Sequence, residues 1–197
     1  MNIKKLLGYA LGPIGGAAAS AVALPLISWY FPADDIGRIV LLQTVSSLVL
    51  IVLGLGLDQA YIREYHAADN RAGLLKAVLV LPLAFIAAAV LLVGVFDRAW
   101  PSEIILELNS ASVGLLCLIF MATMLLSRYL SVVLRMQERA YAFSFSQLTP
   151  KILILVIVLT YMLTGAAKST FNLIFAYTLA QILTTLVLLL QTKSELA

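Results

Sequence analysis

The chain has 197 residues, 62% hydrophobic and 12% charged, with 13 bases against 10 acids for a formal net charge of +3. A soluble domain is about 45–50% apolar and about 25% charged, so there are too few charges here to wet the surface of a globule this size. A soluble enzyme and a disordered tail are excluded, and one Cys (Cys117) and one His (His66) support neither a disulfide framework nor a metal cluster.

The charges stand in clumps separated by long gaps. Lys5 to Asp34 encloses 28 uncharged residues, Arg38 to Asp58 19, Lys76 to Asp97 20, Glu107 to Arg128 20, Lys151 to Lys168 16, and Lys168 to Lys193 24. A helix rising about 1.5 Å per residue needs about 20 apolar residues to cross a hydrocarbon core of about 30 Å. The expectation is an all-α integral membrane chain forming one six-helix transmembrane bundle over residues 1–197. Its spans fall at about 7–31, 37–57, 75–96, 109–130, 149–166 and 170–191. The runs lack the alternation of about ten residues that marks a membrane β-strand.

The first span follows Lys4 and Lys5, and Ala21–Ala23 imitates a signal-peptidase site. A signal h-region covers about 7–15 residues. This run continues through Leu24 to Phe31, so an uncleaved span is expected. Gly12 and Gly16 make a GxxxG pair beside Pro13 and Pro25. Small residues let helices approach closely, and Gly with Pro permits bending. These four are therefore structural or gating candidates, as a packing face or as a helix that bends during transport.

In the second span Gln43 is the best candidate for a cavity-facing amide, or else an interhelical hydrogen bond. The connector after it places Asp58, Tyr61 and Tyr65 on one helical face, with Arg63 on the next. Asp58 is a gating candidate and Arg63 a substrate-binding one. After the fourth span, Arg128, Ser131, Arg135, Glu138 and Arg139 fall on one face of a helix expected to continue about 16 Å past Arg128. Guanidinium groups grip phosphate bidentately, which makes Arg128 and Arg135 substrate-binding candidates. The other reading is simple anchoring on the positive side of a membrane, with attraction to anionic lipid. The fifth span borrows Leu148 and Thr149, with Lys151 snorkelling from its inner end. No ionisable residue is expected mid-span.

Lys and Arg give the orientation. With the N-terminus inside, ten bases (Lys4, Lys5, Arg63, Arg71, Lys76, Arg128, Arg135, Arg139, Lys151, Lys193) lie inside and three (Arg38, Arg98, Lys168) outside. Both termini are expected to be cytoplasmic. The net charge then reports topology and not nucleic-acid binding. With no triad, zinc spacing or phosphate-cradling loop, no enzyme, cofactor or metal is expected.

The stretch from Leu24 to Leu75 resembles the start of the bacterial O-antigen and polysaccharide flippases, of the multidrug/oligosaccharidyl-lipid/polysaccharide exporter superfamily. The matching features are Phe31 to Gly37, then Leu55, Gly56, Leu57, Asp58, Ala60, Arg63 and Tyr65. The segment before the fifth span is similar too, through Arg135, Arg139, Tyr141, Ser144, Gln147 and Lys151. The resemblance implies a bacterial inner-membrane, multi-pass transporter. It would carry an undecaprenyl-pyrophosphate-linked oligosaccharide to the periplasmic leaflet through a cation-lined cavity, for O-antigen, lipopolysaccharide or other polysaccharide synthesis. Such transporters have about twelve to fourteen helices in two six-helix lobes with the site between them, and this chain looks like the N-terminal lobe. The partners so implied are the lipid-linked oligosaccharide, membrane lipid, a second lobe or homodimer partner, and polysaccharide assembly proteins. A drug or small-solute exporter of the same superfamily is the alternative within transport. A non-transporting membrane scaffold subunit is the alternative outside it.

Overall fold

The computed structural model describes residues 3–95 and 97–196. Phe96, the expected end of the third span, and the side chains of Lys4 and Lys5 lie outside the described residues. The chain is 86% helical, with no strand among the described residues. Its helices are α1 (Ile3–Tyr30), α2 (Ala33–Gly54), α3 (Leu57–Glu64), α4 (Arg71–Val95), α5 (Trp100–Leu106), α6 (Ala111–Met136), α7 (Ala140–Thr164) and α8 (Thr170–Leu196). Six of them, all but α3 and α5, are long and apolar enough to cross a membrane over stretches of 22 to 26 residues. The expected all-α, six-helix membrane bundle is the observed architecture.

The charge gaps did not reveal α3 and α5, because both are short amphipathic helices inside connectors. Tyr61 of α3 and Tyr65 just after it turn inward onto Leu75, Val78 and Leu79 of α4 and Leu125 and Tyr129 of α6. Leu55 and Gly56, with φ of 45° and 72°, separate α2 from α3. Two successive left-handed residues end a helix sharply; the glycine takes this conformation freely, while the leucine is strained by it.

The fourth span and its extension also differ from expectation. The continuous helix carrying Arg128 through Arg139 stops at Met136, and Glu138 adopts a φ of 56°. Arg139 instead sits at the head of α7 and donates from Nη1 to the Gln191 carbonyl of α8 at 2.7 Å. Only Arg128, Ser131 and Arg135 of the predicted stripe share a helix.

α1 runs alongside α7 in the same direction. Gly8 meets Ala140, Gly12 meets Ser144 and Gly15 meets Leu148, while Tyr30 Oη donates to the Tyr161 and Ala166 carbonyls at 3.0 and 2.6 Å. Ser144 Oγ donates to the Gly8 carbonyl, a cross-helix bond possible only because the backbones nearly touch. α6 and α8 form the centre, with Val113, Cys117 and Phe120 against Leu173, Ile174, Tyr177 and Ala180.

At the other end of the bundle, Asp35 is only 7% exposed. It accepts from Thr170 Oγ1 and lies 3.3 Å from Arg38 Nη1, which also donates to Thr170 at 3.0 Å. This joins α2 to the first turn of α8. Removing a buried acceptor leaves its donors unsatisfied. Asp35→Ala is therefore expected to cost about 1–3 kcal/mol, read as a lower thermal midpoint in detergent. Asp34→Ala, at the exposed neighbour, should stay within about 0.5 kcal/mol. Equal midpoints for the two variants would contradict this role for Asp35.

Candidate functional site

Several polar side chains of the spans line a cavity of about 480 Å³ between α2, α6, α7 and α8. Each helix contributes a stripe at helical spacing: Gln43, Ser47 and Ile51 from α2; Met124, Ser127, Arg128 and Ser131 from α6; Gln147, Pro150, Lys151 and Ile154 from α7; Tyr177, Gln181, Thr184 and Leu188 from α8. Among the described residues no Asp or Glu lines it, and the charged lining residues are Arg128 and Lys151.

Lys151 changes most from the sequence reading, which set it at the inner end of a span. α7 starts at Ala140, so Lys151 lies eleven residues along it, about 16 Å from its start in a helix rising about 37 Å. It stands near mid-helix. An ammonium ion facing lipid at the centre of a span would cost about 2.5–3.5 kcal/mol, whereas facing this cavity it can stay hydrated. Among the described residues Lys151 makes no ion pair. Pro150 beside it lacks an N–H and cannot bond the Ser146 carbonyl one turn back, which leaves an acceptor on the cavity wall.

Hydroxyls and amides fill out the lining. Ser47, Ser131, Ser146 and Thr184 each donate to a carbonyl of their own helix, at 2.6 to 2.8 Å. Their protons are thus occupied and their oxygens remain acceptors. Gln181 Nε2 donates to Ser127 Oγ at 2.7 Å, tying α8 to α6. The Gln43 and Gln147 amides make no side-chain hydrogen bond among the described residues, so their donors and acceptors are available. The arrangement can neutralise an anion with two cations and hydrogen-bond a polyhydroxylated group with several neutral donors and acceptors.

Of the candidate substrate-binding residues, the cavity gathers Gln43 and Arg128. Arg63 lies outside it on α3, 80% exposed, with Nε 3.4 Å from Oε1 of the adjacent Glu64. Arg135 is exposed beyond the cavity, and its carbonyl accepts from Tyr9 Oη at 3.4 Å. Asp58 pairs with Arg128, Oδ2 to Nη2 at 3.0 Å. Gly12 and Gly16 belong to the α1–α7 face; Pro13 and Pro25 are exposed on α1, and none of these four lines the cavity. Lys151, Gln147 and Ser127 were not singled out as site residues. The signal was present in Gln147 and Lys151, one turn apart before an apolar run, but reading each charge as a span end hid it.

Comparison with protein families, characterised proteins and solved structures gives no match to this chain.

Proposed function

We propose that this chain is a lobe of a bacterial inner-membrane transporter that carries an undecaprenyl-pyrophosphate-linked oligosaccharide from the cytoplasmic to the periplasmic leaflet. The observation carrying this reading is the cavity whose charged lining residues, among those described, are Arg128 and Lys151, set among amides and hydroxyls. A pyrophosphate suits the two cations. Sugar hydroxyls suit Gln43, Gln147 and the serine oxygens. The lipid tail suits the apolar outer faces of the helices, which meet hydrocarbon directly. Arg135 and Arg63 then serve as anchors on the cytoplasmic side, consistent with the sorting of bases.

A drug exporter for cationic compounds fits less well, since among the described residues no Asp or Glu lines the cavity to receive such cargo. Transport between lobes requires a second lobe or a second copy facing the cavity, which is part of this proposal.

The test is a chromosomal replacement in the native host, scored for surface polysaccharide and for lipid-linked precursor in the inner membrane. Arg128→Ala and Lys151→Ala should each cut surface polysaccharide at least about tenfold, the cost of one lost charge-assisted contact. Precursor should accumulate while protein level stays normal. Normal surface polysaccharide in both variants would remove the cavity from transport.

A further inference from the structure

We infer that Asp58 is a built-in competitor for the cavity's anion site, holding Arg128 while the cavity is empty and yielding it when a phosphate-bearing ligand arrives. This rests on the anion-binding reading of the cavity and adds the device that sets its affinity. Arg128 faces two ways. The residue lines the cavity with Ser127 and Ser131, and its Nη2 donates to Asp58 Oδ2 at 3.0 Å. A carboxylate there is the same kind of acceptor as a phosphate oxygen, so the two compete for the same N–H groups.

Asp58 is arranged to let go without loss of support. Its Oδ1 accepts the Gln59 N–H at 3.0 Å in the first turn of α3, where the helix dipole favours an anion. Tyr61, 1% exposed, and Tyr65 anchor α3 in the core with α4 and α6. The carboxylate therefore stays in place when Arg128 leaves. The side chains are 53% exposed for Arg128 and 18% for Asp58. A partly exposed ion pair shifts an equilibrium only a few fold, so it lowers the affinity of an incoming anion without blocking it. If Arg128 is available about a fifth to a third of the time, the apparent affinity falls about three- to fivefold. A carrier that must empty its site gains from such a competitor, because Asp58 retakes the cation as the ligand departs.

The expected sign separates this role from a structural one. Asp58→Asn keeps an oxygen for the Gln59 N–H and removes the charge. Titrating the full chain in detergent with inorganic pyrophosphate at low salt, by calorimetry, Asp58→Asn should bind about three- to fivefold more tightly than wild type. Asp58→Ser should do the same, which guards against one variant folding poorly. Arg128→Gln should bind more weakly. Asp58→Asn combined with Arg128→Gln should match Arg128→Gln alone, since the competitor acts through that guanidinium. Pyrophosphate binding to wild type with equal or weaker binding to both Asp58 variants overturns the competitor and leaves the cavity reading standing. A gain that persists in the double variant also overturns it, by assigning the effect to general field strength. Failure of pyrophosphate to bind wild type or either Asp58 variant overturns both.

Discussion

Replacing Arg128 and Lys151 together with Gln should lower the affinity of the cavity for a pyrophosphate-bearing lipid by about a hundredfold while leaving the fold intact. Hydrogen bonds to charged groups are worth about 1.5–3 kcal/mol each. Two of them at the low end give about 3 kcal/mol, and about 1.4 kcal/mol corresponds to tenfold. The low end is appropriate because both side chains are exposed to the cavity. Stability should hardly change. Lys151 makes no ion pair among the described residues, and the Arg128–Asp58 pair is of the exposed kind worth about 0–1 kcal/mol. Affinity and thermal midpoint, measured on the same detergent preparation, test this. A midpoint that collapses with the affinity would make these residues structural, and an unchanged affinity would remove them from binding.

The second large effect belongs to the α1–α7 seam. Gly12→Ala should destabilise the chain by about 1–3 kcal/mol, the usual cost of forcing extra atoms into a filled interface. A Cβ at Gly12 would lie 2.8 Å from Ser144 Cα and 3.0 Å from its carbonyl oxygen. Those are backbone atoms, which cannot turn aside as a side chain can. The two helices would have to part, and the Ser144 bond to Gly8 would lengthen. Gly16→Ala is the matched control, since its nearest neighbour would be the Gln147 carbonyl oxygen at 3.9 Å. It should be neutral or slightly stabilising, because Ala is the better helix former by up to about 1 kcal/mol. Thermal midpoints of the two variants in detergent check this, and equal losses at both positions would contradict the seam.

The six long helices were legible because apolar length is a property of consecutive residues, and a gap of about 20 between charges reports it directly. Helix partners were less legible. GxxxG at Gly12 and Gly16 announced a close approach, and Gly8 extends that spacing one turn earlier. Nothing local, however, says that the partner is Ser144, more than 130 residues away. The break at Glu138 was hidden because a non-glycine left-handed turn has no strong residue signature, and the stripe from Arg128 to Arg139 kept helical spacing across it. The candidate site was half legible. Gln43 and Arg128 stood out as polar groups near apolar runs. Lys151 reads as a span end because snorkelling makes a Lys compatible with one, and the start of α7 at Ala140 places it mid-helix. The partnership of Asp58 with Arg128 spans 70 positions and follows from the fold of α3 onto α6.

Recognition of pyrophosphate on a lipid by the cavity is read by comparing the binding of undecaprenyl pyrophosphate and undecaprenol to the purified chain in nanodiscs by native mass spectrometry. A preference of at least about tenfold for the pyrophosphate is expected, equivalent to about 1.4 kcal/mol, and it should be lost when Arg128 and Lys151 are both Gln. Equal binding of the two lipids to the unmodified chain would contradict it.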